Sequence, residues 1–184
     1  MELVRPALSY LPGYADALRR GWSPDNVRGL AAAAEELEQI KRDPSGFVEQ
    51  LTDLEAKGAP ILLPDGSQVP RLPGFRLWMW DGEFCGSIGL RWQVGTAELP
   101  AYCLGHVGYS VVPWMERRGY ATRALGLLLP LARELGLPHV DLITDPDNLP
   151  SQRVILANGG VLEKQFRKTE QYGATESLLY RIRL

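Results

Sequence analysis

The sequence predicts an α/β fold. Three observations carry that expectation. Helical apolar spacing fills much of residues 14–57, aromatic and alternating strand-like runs follow from residue 61, and a strand–loop–helix unit sits in the middle of that second part. At 184 residues the chain has the size of about one domain and can bury a core without disulfide or metal staples. Hydrophobic residues make up 45% and charged residues 23%, a globular balance that excludes wholesale disorder. A formal net charge of −2 excludes the strongly basic profile of a non-specific nucleic-acid binder. It also gives no reason to expect an anionic membrane partner. The 19 glycines and 14 prolines predict many tight turns.

The elements follow in order. Residues 2–5 read as a short strand and residues 14–22 as a short helix. Ser23 and Pro24 look like the N-cap and first-position proline of a helix over residues 25–41, rich in Ala, Leu and Glu. Asp43-Pro44 stops that helix and starts another, where Phe47, Val48, Leu51 and Leu54 line one face and Gly58 marks the end. Residues 61–63 predict a strand, 64–67 a turn and 69–73 a proline-rich loop. Runs 75–80 and 83–92 flank Asp81-Gly82, predicting a hairpin whose two turn positions take positive φ. After a loop over 93–102, residues 104–112 read as a strand, with Gly105 and Gly108 marking a bulge or a close backbone approach. Residues 118–135 predict a helix ending at Gly136, kinked or cut short near 126–130 by Pro130. A strand over 138–144, a helix over 148–157 closed by Gly159-Gly160, and strands over 161–168 and 176–183 complete the chain.

One segment points to chemistry. Between Pro113 and the long helix lie Glu116, Arg117, Arg118, Gly119, Tyr120 and Ala121. Gly119 and Ala121 keep the backbone unobstructed, so loop and first-turn N–H groups can converge where the helix dipole favours negative charge. Arg117 and Arg118 add two cations. This is what a pyrophosphate requires; an ordinary strand-to-helix turn with solvated arginines is the alternative. The two cysteines, Cys85 and Cys103, lack metal-ligand spacing and predict reduced thiols, with no metal site. No apolar run reaches the length of a membrane span, and the N-terminus lacks a secretory pattern, so a cytoplasmic protein is expected.

The stretch from Pro113 through Arg117-Arg118-Gly119-Tyr120-Ala121-Thr122 resembles motif A of the GCN5-related N-acetyltransferases (GNAT). That signature, Arg/Gln-x-x-Gly-x-Gly/Ala, cradles the pyrophosphate of acetyl-CoA. Gly119 and Ala121 match it. Glu116 stands where Arg or Gln is usual, so its side chain must point away or pair with an arginine. Downstream, Asn148 and Ser151 at the start of a helix ending in Gly159-Gly160 resemble the family's Asn-x-x-Ser/Ala helix beside the pantetheine arm. The segments GHVGYSVVP and NGGVLE look like one bacterial branch of the family.

The resemblance implies a single-domain acyl-CoA N-acyltransferase fold over 1–184, with a mixed, mostly antiparallel sheet splayed at 104–112 and flanked by helices. Residues 75–184 would bind acetyl-CoA, and the more variable 1–74 would serve the acceptor. Arg117, Arg118, Gly119, Tyr120, Ala121 and Thr122 would hold the pyrophosphate. Ser110, Val111, Asn148 and Ser151 would line the arm, and Tyr109 to Val111 would offer a backbone N–H to the thioester oxygen. The implied activity is acetyl transfer to an amine of a small molecule or peptide by direct attack in a ternary complex. A non-catalytic acyl-CoA-binding module is the alternative, and a homodimer is possible.

Relatives often carry a Tyr on the downstream helix to protonate the thiolate; Ile155 stands there in this chain. His106 and Tyr109 are the candidates for proton transfer. Their alternative readings are a histidine hydrogen-bonded to backbone and a core aromatic. Asp141 is a further candidate, otherwise a polar strand residue. Trp78, Trp80 and Trp92 wall an acceptor pocket or pack in the core. Glu35, Glu36 and Glu38 read as a solvated helix face.

Overall fold

A computed structural model describes residues 1–63 and 66–184. Along the chain run β1 (Glu2–Val4), α1 (Leu11–Arg19), α2 (Leu30–Arg42), α3 (Pro44–Glu49), β2 (Thr52–Asp53), β3 (Ile61–Leu62) and β4 (Gln68–Val69). Then come β5 (Gly74–Trp80), β6 (Phe84–Arg91), β7 (Val107–Val111), α4 (Tyr120–Glu134), β8 (His139–Thr144), α5 (Leu149–Ala157), β9 (Val161–Arg167) and β10 (Glu176–Arg183). One sheet has the order β1-β5-β6-β7, with β2 also on β5; a second has the order β8-β10-β9; β3 and β4 form a small hairpin. Every ladder among the described residues is antiparallel. No helix among them is long and apolar enough to cross a membrane.

β5 and β6 are covered on both faces, which explains their nearly continuous apolar sequence. Trp78 stacks on Tyr14 of α1, with ring centroids 4.7 Å apart. Trp22 and Phe84 meet the same tyrosine edge-on. Such pairs add about 0.5–1.5 kcal/mol each beyond the area they bury. Leu77, Met79, Ile88 and Leu90 alternate to the opposite face, all at 8% exposure or less, where α4 packs through Leu125 and Leu128. Glu36 is not part of a solvated face. It takes a hydrogen bond from the buried Tyr14 hydroxyl and pairs with Arg76 at 3.0 Å.

Several boundaries depart from expectation, each for a local reason. α1 begins at Leu11, earlier than residue 14, with Pro12 in its first turn. α2 begins at Leu30 with Gly29 as its N-cap, so Ser23-Pro24 does not cap it; Ser23 Oγ accepts the Asp25 N–H at 3.1 Å. Instead Asp25 Oδ1 accepts the N–H groups of Val27 (2.8 Å) and Arg28 (2.9 Å), closing a turn before the helix can start. Asp43 caps α3 as expected, accepting the Gly46 N–H at 3.0 Å. That helix stops at Glu49 because the following backbone joins the sheet: the Arg76 N–H donates to Leu51 O at 2.8 Å, and β2 pairs with β5. Leu54 is therefore exposed and off the helical stripe. The hairpin between β5 and β6 has a three-residue connection. Asp81 N–H bonds Glu83 O at 3.0 Å, and of Asp81 and Gly82 only Gly82 has positive φ. α4 runs through Pro130 to Glu134, so the early end does not occur; Pro130 lies on the exposed face. Residues 64 and 65 of the turn expected over 64–67 lie outside the described residues.

Candidate active site

The two sheets meet at one point and then part. His106 N–H donates to Asp141 O at 2.8 Å, and Asp141 N–H donates to His106 Nδ1 at 3.0 Å. Beyond this clasp β7 and β8 share no ladder, so their facing edges are unpaired and the gap between them is the candidate cleft. Gly105 makes the contact possible. It has φ of +135°, and a Cβ there would sit 3.1 Å from Asp141 O. The strand accordingly starts at Val107 rather than at residue 104.

Pairing within the first sheet fixes which backbone groups face the cleft. Arg91 N–H bonds His106 O and Val112 N–H bonds Cys85 O, so Gly108 and Ser110 turn their backbone to β6, together with the His106 carbonyl and the Val112 N–H. Val107, Tyr109 and Val111 turn theirs toward the cleft. Asn26 reaches across from the α1–α2 loop to donate to Tyr109 O at 3.3 Å. Ser110 is committed elsewhere: its hydroxyl accepts from Trp22 Nε1 at 2.9 Å and donates to Ser23 O at 3.1 Å. Ser110 therefore offers no donor to the cleft.

Tyr109 points its side chain to the α4–α5 face. Its hydroxyl lies 2.8 Å from Ser151 Oγ, joining β7 to the first turn of α5. Asn148 caps that turn, accepting the Ser151 N–H at 3.1 Å. Burial raises the Tyr109 phenol above its usual pKa and the Ser151 hydrogen bond opposes this, so the group is protonated at neutral pH. His106 lies elsewhere. It is 1% exposed, its Nδ1 is occupied, and Nε2 is buried without a partner among the described residues. Burial lowers its pKa, keeping the ring neutral. Its geometry is that of a backbone-bonded structural histidine. Asp141 is gripped by Arg181 through Nε at 2.7 Å and Nη2 at 2.8 Å, so its carboxylate is already paired. Ile155 is core, at 1% exposure.

The loop before α4 has the form its residue types predict. Gly119 is the N-cap with φ of +78°, and no side chain caps the helix. The first helical bond runs from Arg123 N–H to Gly119 O at 3.0 Å. The N–H groups of Tyr120, Ala121 and Thr122 thus have no partner within the helix. A Cβ on Gly119 would meet nothing within 4 Å, so the space before these donors is open. Arg117 and Arg118 are exposed there. Glu116 is exposed and makes no ion pair among the described residues. The Tyr120 hydroxyl is held by Asp81 at 2.6 Å.

Two supporting residues escaped the sequence. Asp81 carries only a turn signal in the sequence, yet its carboxylate holds the Tyr120 hydroxyl. Asn158 ties α5 to the first turn of α4, donating to Thr122 O at 3.1 Å and to Val154 O at 2.8 Å. Nothing in its local sequence signals that long-range bond. Among the described residues no group of three His, Cys, Asp or Glu is placed to hold a metal.

The profile described as Acetyltransferase (GNAT) domain matches residues 20–161, well over half of the chain. The chain belongs to the GNAT acetyltransferase family. Its fold is shared with solved GNAT structures at low sequence identity. The ribosomal L7/L12 alpha-N-protein acetyltransferase RimL, in complex with coenzyme A, superposes with a TM-score of 0.62 at 12% identity, over 99% of this chain and 93% of that one. The microcin C7 self-immunity acetyltransferase MccE, in complex with acetyl-CoA and AMP, gives 0.58 at 15% identity, over 99% and 91%. A putative ribosomal-protein-serine acetyltransferase from Vibrio cholerae gives 0.59 at 14% identity, over 99% and 92%. No curated protein sequence matches the chain. The GNAT fold thus joins a mixed α/β architecture to two antiparallel sheets that separate beside an uncapped helix.

Proposed function

We propose that this GNAT protein transfers an acetyl group from acetyl-CoA to a primary amine, the amine attacking directly in a ternary complex. One juxtaposition carries the reading: the β7–β8 cleft opens beside an α4 N-terminus whose first N–H groups are uncapped and face open space. Those groups fit a pyrophosphate, with Arg117 and Arg118 at the rim. Acetyl-CoA supplies the activated acyl group as a thioester. Residues 75–184 would hold it and residues 1–74 would serve the acceptor.

The remaining roles fall to side chains and backbone of this chain. Tyr109 and Val111 turn backbone N–H groups toward the cleft, where they can stabilise negative charge on the thioester oxygen. The Tyr109 hydroxyl, protonated and seated on Ser151 at the α5 N-terminus, can donate to the departing sulfur. This would replace the tyrosine that Ile155 displaces. His106, buried and bonded to backbone, is assigned the clasp and no base role. The amine would pass its proton to water, with orientation supplying much of the rate. A ribosomal-protein amine belongs in the first acceptor panel, since ribosomal proteins appear in the names of RimL and the Vibrio cholerae protein.

The test is a calorimetric titration with acetyl-CoA, using ATP and NAD as controls, followed by thiol release over an amine panel. Selective micromolar binding and amine-dependent release of CoA are expected. Absence of selective binding by folded protein would reduce the α4 loop to an ordinary turn.

A further inference from the structure

The register of the first sheet places one cation where an acceptor would enter. On the face covered by α1 and α2, Trp78, Ser87 and Ser110 form one cross-strand row. Arg76, Gly89 and Gly108 form the next, and Gly74, Arg91 and His106 the third. Trp22 covers the first row by bonding Ser110. The second row has no side chain on β6 or β7, and Gly108 is exposed. The sheet therefore has an open floor immediately beside Tyr109 and the cleft.

Two arginines border that floor, and their states differ. Arg76 is neutralised by Glu36 and also donates to the Tyr14 hydroxyl at 2.9 Å. Arg91 is exposed and has no carboxylate within ion-pair distance among the described residues. The acidic group in the third row's vicinity, Asp141, is taken by Arg181. Yet Arg91 is not loose. Its Nε donates to Gly105 O at 2.7 Å, which lays the guanidinium along β7, and a Cβ on Gly108 would lie 3.8 Å from its Nη2. A fixed guanidinium with outward N–H groups left over is the geometry that accepts a carboxylate by two parallel hydrogen bonds. Gly108 precedes Tyr109 by one residue, about 3.3 Å along the strand. The guanidinium therefore borders the strand segment whose next residue faces the cleft.

We propose that Arg91 selects acceptors carrying a carboxylate close to the reacting amine, such as a chain beginning with Asp or Glu. The proposal rests on the acetyltransferase reading of the cleft and assigns its acceptor class.

The probes are dipeptide amides in matched pairs, Asp-Ala-amide against Asn-Ala-amide and Glu-Ala-amide against Gln-Ala-amide. Each is assayed for acetyl-CoA-dependent thiol release and, separately, titrated into CoA-saturated protein. The acidic member of each pair should show a KM and a Kd at least about tenfold lower. Arg91→Gln should reduce that preference to near unity while the KM for acetyl-CoA changes less than about twofold. Arg91→Lys, which keeps the charge but loses the Nε bond to Gly105, should retain part of it. An equal loss in both variants would assign the effect to the Gly105 bond and overturn the proposal. So would an absent preference in the wild type, or one that survives in Arg91→Gln. If acidic probes bind preferentially through Arg91 and none is acetylated, carboxylate recognition by Arg91 stands and the acetyltransferase reading fails instead.

Discussion

At the scale of single residues, Tyr109, Gly119 and His106 carry separable predictions. Tyr109→Phe removes only the hydroxyl that bridges to Ser151. If that hydroxyl serves the leaving sulfur, kcat should fall by about 10²-fold, within the range of a lost general acid. The KM for acetyl-CoA should hold within a few-fold, and steady-state kinetics over both substrates would separate the two. Gly119→Val places a branched side chain in the open space before the α4 donors, at φ of +78°. Calorimetry should then find acetyl-CoA binding lost, while the melting transition stays cooperative. His106 gives a pH prediction with a definite sign. Its folded pKa is lowered by burial, so the unfolded state binds the proton first as pH falls below about 6.5. Stability is therefore fully present above that pH and declines as pH drops toward the folded value. Asn can offer an oxygen acceptor near the Nδ1 position. Tm measured at pH 7.5 and 5.5 should fall less in His106→Asn than in the wild type, and an equal fall would refute the assignment.

At the scale of elements, what was legible depended on whether the signal was local. Asp43-Pro44, Gly136 and the Asn148 cap mark their helix ends because capping involves only neighbours. The start of α2 was misplaced because Asp25 offers the same N–H groups a competing turn. The end of α3 was misplaced because β5 captures the backbone of Leu51 and β2, a contact no local window contains. The form of the loop before α4 was legible since it depends on open backbone, and glycine announces that. The clasp at His106 and the seat of Tyr109 were not, since each depends on an element about 35–42 residues away. Pro130 shows the same contest in α4. Its missing N–H and ring should break a helix at a cost near 3 kcal/mol. Apolar packing on either side, with Leu125, Leu128 and Ala132 all at 0% exposure, holds the helix through it. Pro130→Ala restores the backbone donor on the exposed face without touching the core. It gives back about 0.4–1 kcal/mol through a freer unfolded chain. The variant should still be more stable by about 2 kcal/mol in denaturant unfolding.

At the scale of the whole molecule, the cleft is a structural weakness. A continuous sheet would bond β7 to β8 along their lengths, whereas here the two sheets share the backbone clasp at His106–Asp141 and the bridging helices α4 and α5. Backbone groups of β7 that face the cleft are thus left without strand partners, and the site is open at the expense of cohesion between the halves. A ligand that spans the gap should restore that cohesion. At one hundred times Kd, a ligand binding only the folded state adds about 2.7 kcal/mol. For a chain of this size each kcal/mol moves Tm by about 2–4 °C, so acetyl-CoA should raise Tm by about 5–10 °C. The location of the added protection is more discriminating than its size. Hydrogen exchange should slow in β7, β8 and the first turn of α4 together, because one ligand touches all three. ATP, which can reach only the α4 donors, should protect α4 alone. Protection confined to α4 with acetyl-CoA as well would mean that the cleft between the sheets is not where the pantetheine arm lies.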